Sequence, residues 1–144
     1  MLFRSDRVPD GRRGFFLTLR RELLDHAEHA FWLIRPEEDG GTVGDHLRAA
    51  ARQHHANATR LLSGPPLPLA AMPAWSAFHR IRQRKGGGIG PVPIEWPDID
   101  AFLRCSGVRL APWEIDLLEL LDDTWMRVVT AKTYDWKPEG GGDV

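Results

Sequence analysis

The sequence predicts an all-α fold: a small helical domain of four to five helices, ending in a helix-turn-helix hairpin, with joints rich in proline and glycine. Three observations lead there. Apolar residues recur at intervals of three and four along most of the chain, the repeat that lines one face of an α-helix. Pro73, Pro97 and Pro112 stand where helices would open, the one place where a missing backbone N–H costs nothing. No segment shows the strict apolar/polar alternation of a half-buried strand.

Residues 1–13 are polar and charged and read as a flexible arm. Residues 14–63 read as an N-terminal helical pair. In its first helix Phe16, Leu19, Leu23, Ala27, Ala30 and Ile34 mark the inner stripe, with Leu24, Phe31 and Trp32 widening it, and Pro36 ends it. Thr42 is the expected N-cap of a second helix running to about Leu62, with Asp45 completing a capping box. Its inner residues are Val43, Leu47, Ala50, Ala51, Ala58, Leu61 and Leu62, and Arg48, Arg52 and Arg60 face outward.

Residues 64–72 form a proline-rich linker of extended stiffness, because successive prolines cannot continue a helix. Residues 73–132 read as a C-terminal helical module. Its first helix carries Trp75, Phe78, Ile81 and Arg82 at helical spacing and ends on Arg80, Arg82, Arg84 and Lys85, cations that suit the negative end of the helix dipole. Gly86–Gly90 then makes a hinge. Pro97 opens the next helix, with Ile99, Phe102 and Leu103 inward, and Gly107 is its expected left-handed C-cap. The last helix opens at Pro112 with Glu114 in its first turn and lays Leu117, Leu118, Leu121, Trp125 and Val128 along one face. Glu119, Asp122 and Asp123 are expected mostly outside that face. Residues 133–144 read as a disordered tail.

Composition narrows the function. Of 144 residues 42% are apolar and 27% charged, so a modest single core is within reach. Net charge is −1, yet residues 1–85 hold 14 Lys/Arg against 9 Asp/Glu, and residues 86–144 hold 5 against 11. A basic front half and an acidic back half can pack on each other or on separate partners. Cys105 is the single cysteine, which excludes an internal disulfide and a CxxC site and reads as a small core residue. The start MLFRSDRVPDGRR lacks the apolar run of a signal peptide, and no run approaches a membrane span, so the expectation is a protein of the reducing cytosol.

No residue set is predicted to be catalytic, to bind a cofactor or to hold a metal. His26 and His29 share a helix face, but a zinc site would need a third ligand from His54, His55 or His79, and the blander reading is a pair of helix histidines. Gly86–Gly90 follows a basic helix and precedes Pro91, the wrong frame for a phosphate loop. Cys105 lacks a histidine partner, and Ser76 and Ser106 lack a nucleophile elbow. The Pro97–Trp125 hairpin shares the outline of a DNA reader. Its second helix, however, carries Glu114, Asp116, Glu119, Asp122 and Asp123 before its first cation, Arg127, which phosphates would repel. A small helix-turn-helix DNA-binding regulator is therefore the second reading, behind a protein-binding module. Trp75, Trp96, Trp113 and Trp125 read mostly as core, with one or two left exposed as interface anchors, and Trp113, in the first turn beside the acidic face, is the one expected to stay exposed.

The segment from about Thr42 to Trp125, well over half of the chain, resembles the phage tail assembly chaperones of long-tailed phages and prophages. The likeness lies in TVGDHLRAA, in PLPLAAMPAWSAFHRIRQRK and above all in IEWPDIDAFLRCSGVRLAPWEIDLLELLDD. It includes the Trp75/Phe78 helix ending in arginine, the Ile94-x-Trp96 lead-in, the turn through Gly107, Leu110, Trp113 and Glu114, and Leu121-Asp122. The first forty residues match no part of the pattern. The resemblance implies a non-catalytic factor of the host cytoplasm that coats the tape-measure protein, recruits tail-tube subunits, and leaves before the virion is complete. A frameshifted longer form is also implied. The implied partner-binding residues are Trp75, Phe78, Trp96, Trp113, Glu114 and Asp122, with self-association open, no membrane partner, and nucleic acid disfavoured.

Overall fold

Local signals in the sequence place most helix ends. A computed structural model describes residues 10–86 and 88–138, and among them six α-helices and no strand. These are α1 (Asp10–Leu33), α2 (Val43–Arg52), α3 (Ala56–Leu62), α4 (Met72–Arg84, led in by a 3-10 turn at Leu69–Ala71), α5 (Trp96–Ser106) and α6 (Pro112–Thr130). The Thr42 capping box forms as expected: Asp45 N–H donates to Thr42 Oγ1 at 3.1 Å and Thr42 N–H donates to Asp45 Oδ2 at 2.9 Å. Gly107 ends α5 at φ 72°, its N–H donating to the Leu103 carbonyl.

Several boundaries depart from expectation. α1 begins at Asp10 rather than Gly14, since glycine lowers helix propensity by only about 1 kcal/mol and a long flanking run absorbs that. Of the expected arm, residues 1–9 lie outside the described residues. Ile34, expected inside, is exposed, because α1 stops one residue earlier and the chain turns. The second helix is split in two at 53–55. His54 takes a left-handed φ of 64°, and the N–H groups of His54 and His55 donate to Ala51 and Ala50 carbonyls, closing α2 as a Schellman motif with histidine where glycine is usual. A side chain pays a left-handed penalty there. His54→Gly is expected to raise stability by roughly 0.5–1 kcal/mol in urea unfolding.

One core spans the sequence. Leu19, Leu23, Ala27, Phe31 and Trp32 of α1 join Ala74, Ala77, Phe78 and Ile81 of α4, Ile99 of α5, and Leu117, Leu118, Leu121 and Val128 of α6. α6 is shared between α1 and α4, while α2 and α3 form a small pair against α1. The helical pair, linker and C-terminal module expected from sequence are thus not separate packing units. Ala71 of the linker region is fully buried, and Leu67 packs on the core.

Histidines lock the linker down. His26 Nδ1 donates to the Pro65 carbonyl at 2.7 Å and His29 Nε2 to the Leu61 carbonyl at 2.9 Å. Gly64 lies so close over the His29 ring that a Cβ there would fall 2.0 Å from Nδ1, and only glycine fits. The tail reading also changes for residues 133–138. Trp136 is buried, its ring stacked on Trp32 at 5.4 Å and packed on His29 at 4.5 Å. Arg35 anchors this end by donating to the carbonyls of Val128 and Ala131, orphan acceptors at the α6 C-terminus. Residues 139–144 lie outside the described residues.

Candidate functional site

The region that the sequence marks for partner contact is built around α5 and the segment that leads into it. Residues 92–95 lie outside any helix or strand and need a tether. α4 and α6 supply it. Arg82 and Asp122 form an ion pair whose side chains are only 10% and 6% exposed. Asp122 Oδ2 accepts the Ile94 N–H at 2.8 Å, and Arg82 Nη1 donates to the Val92 carbonyl at 2.8 Å. The guanidinium lies over the Trp125 ring, 4.2 Å from its centroid, a cation–π contact shielded from water. One carboxylate and one guanidinium thereby pair the Ile94 N–H and the Val92 carbonyl of this segment.

A second tie fixes the start of α5. Lys85, just past α4, donates to Asp98 at 2.7 Å, and Asp98 also accepts the Glu95 N–H at 2.8 Å. The hydrogen-bonded Lys85 ammonium, then the Glu95 amide, hold the Asp98 carboxyl below the usual carboxylate range, and Asp98 in turn holds Lys85 above its ordinary value. Between α4 and α5 runs a groove of about 710 Å³. A hollow of about 410 Å³ lies beside Trp96, with Ile94, Pro97, Ile99 and Glu119 in its wall.

The six residues singled out for partner contact land in different places. Trp96 is 62% exposed in the first turn of α5. Trp113 is half-buried rather than open, packed on Phe16 at 5.6 Å. Trp75 is half-buried, stacked on Phe31 at 5.7 Å and edge-on to His79 at 4.5 Å. Phe78 is fully buried against Phe31 and offers no surface. Glu114 accepts the Ala111 N–H at 3.0 Å and serves as a helix cap. Asp122, read as part of a solvated acidic face, is buried instead, because Arg82 and the Ile94 amide neutralise and satisfy it. Asp122 holds the backbone of Ile94, two residues before Trp96, while Trp75 and Phe78 lie in the aromatic core.

The other sequence candidates acquire plain structural work. His26 and His29 hold the linker, and among the described residues no group of three or more His, Cys, Asp or Glu side chains is placed to hold a metal. His79, burial among Trp75, Phe78 and Phe31 being the larger cause and the nearby His26 the second, is harder to protonate than a free histidine. Cys105 is exposed on α5, not in the core: Ile99, Phe102 and Leu103 occupy the inner face. Ser106 Oγ is engaged with the Phe102 carbonyl at 2.6 Å. For the nucleic-acid reading, Arg82 of α4 and Lys85 just past it are already paired, and α6 exposes Asp116, Glu119 and Asp123.

Sequence reasoning missed Arg82 as the partner of Asp122, and Trp136 altogether. A signal existed for the first. Arg82 stands four residues after Phe78, and Asp122 stands four after Leu118 and three before Trp125, so both occupy inner-face positions. An opposite-charge pair at two core-facing positions is a readable pattern.

A model of the phage tail assembly chaperone family matches residues 50–127, more than half of the chain. The chain belongs to that family. Comparison with curated proteins and with solved structures finds no match. In this chaperone the matched stretch runs from the end of α2 into α6 and contains the Arg82–Asp122 pair, Trp96 and the α4–α5 groove. It leaves out α1 and Trp136, which nonetheless complete the core of the chaperone. No helix among its described residues is long and apolar enough to cross a membrane.

Proposed function

We propose that this tail assembly chaperone binds the tape-measure protein, the tail-tube protein or both, transiently and without covalent chemistry, during tail morphogenesis. It acts in the host cytoplasm and is absent from the mature virion. The observation that carries the reading is Trp96: a large aromatic side chain left 62% exposed on a helix start that two ion pairs hold rigid. A rigid exposed tryptophan beside a hollow is the usual form of an interface anchor, because little side-chain entropy is lost when it docks. A long helical tape-measure protein needs its apolar surface covered before the tube encloses it. Release then suits an interface on the order of 1,200 Å² or less.

Co-expression with each tail protein from the same genome, followed by calorimetry on the purified pair, tests the reading. Trp96→Ala is expected to weaken binding by about 2 kcal/mol, a roughly 30-fold rise in Kd, with unchanged helix content by circular dichroism. A variant that binds as tightly as the parent would remove Trp96 from the interface. Failure of both tail proteins to bind would remove the partner assignment.

A further inference from the structure

The α4–α5 groove has a composition that the chaperone role alone does not explain. Its accessible apolar lining is the exposed Ala101 and the half-buried Phe102 of α5. Its α4 wall carries Arg80, Arg84 and Lys85, against one acid, Asp98, which Lys85 already occupies. Arg80 and Arg84 are one turn apart on the same side of α4. The Arg80 guanidinium lies 5.1 Å from the centroid of the Phe102 ring, and that of Arg84 has no ion-pair or hydrogen-bond partner among the described residues. From Asp98 to Ser106 the α5 wall runs about 12 Å, the length of two helical turns.

We infer that this groove seats a short acidic amphipathic helix of the bound tail protein, its apolar side on Phe102 and Ala101 and its carboxylates on Arg80 and Arg84. The inference rests on the proposed chaperone reading and names the partner chemistry of that surface. Charge complementarity selects the acid, and the apolar α5 lining selects a protein helix over a nucleic acid backbone, which would leave Phe102 and Ala101 uncovered. A second copy of the chain fits poorly. Its own acidic helix, α6, exposes Asp116, Glu119 and Asp123, but Leu117, Leu118 and Leu121 between them are buried in the core. The groove requires both acid and free apolar surface on one helix, and α6 has only the first to offer.

Cys105 makes occupancy measurable. It is the single cysteine of the chain, it is exposed, and it lines this groove. In the co-purified complex of the full chain with its tail protein, alkylation of Cys105 by iodoacetamide is expected to slow about tenfold or more. A designed 16-residue helical peptide, leucines at every third and fourth position and glutamates between, is expected to give the same protection to the free chain, while its lysine counterpart gives none. Arg84→Glu, at an exposed position without a partner, is expected to raise the Kd of the glutamate peptide about tenfold and to flatten its salt dependence. A complex that forms while Cys105 reacts at the free-chain rate overturns the groove and leaves the chaperone reading standing. If no complex forms, that reading falls and the peptide arm alone decides the groove. Protection of Cys105 by raising the concentration of the chain alone, or by a single-stranded oligonucleotide in place of the glutamate peptide, also overturns it.

Discussion

Asp122→Ala is expected to destabilise the protein by about 3–5 kcal/mol, a large share of the 5–15 kcal/mol typical of a small domain. Three losses combine. Arg82 is left charged at 10% exposure with no counter-ion, the Ile94 N–H loses its acceptor, and the segment before α5 is released. Urea unfolding followed by circular dichroism measures the change. The double variant Arg82→Met/Asp122→Leu should recover most of the stability, because two apolar groups replace two desolvated charges, yet should still bind tail protein weakly, since residues 92–95 stay untethered. An Asp122→Ala midpoint equivalent to a loss below about 1 kcal/mol would show that the pair is not load-carrying for the fold.

Removing residues 1–41 is expected to abolish cooperative folding of the remainder, although the family match begins only at residue 50. The deletion takes away Leu19, Leu23, Ala27, Phe31 and Trp32, all buried. At about 1.5–3 kcal/mol for each large side chain the loss reaches the order of 10 kcal/mol, comparable to the whole stability of such a domain. It also exposes the α6 leucines that α1 covers and removes the Arg127–Glu28 ion pair that joins the two helices. The truncated chain should show helix by far-ultraviolet dichroism but a broad, non-sigmoidal melt and strong binding of a hydrophobic dye. A sharp melt within a few degrees of the full chain would mean that α1 is an accessory.

Much of this was legible beforehand wherever the deciding contact is local. Thr42 and Asp45 are three residues apart and need nothing else to cap α2. Gly107 and the opening prolines act through their own backbone preferences. Other features hang on groups far apart in sequence. Asp122 looks like one of a pair of solvated acids until Arg82, forty residues away, is placed opposite. His26 and His29 look like ligands until the Pro65 and Leu61 carbonyls arrive. Trp136 sits among lysine, proline and glycine with no periodicity to mark it, and only the cleft beside Trp32 and His29 gives it a place. Trp96 and Trp113 both open helices, yet Phe16 of α1 covers one of them and leaves the other bare.

From its residues alone this protein was determined to be helical, capped at known points and interrupted at glycine and proline, because propensity, capping and apolar period act within a few residues of one another. Which tryptophan faces the solvent, which acid is buried and what the histidines hold were decided only when α1, α4 and α6 closed on one core. Burial is a property of what lies opposite, and that partner comes from a distant part of the chain.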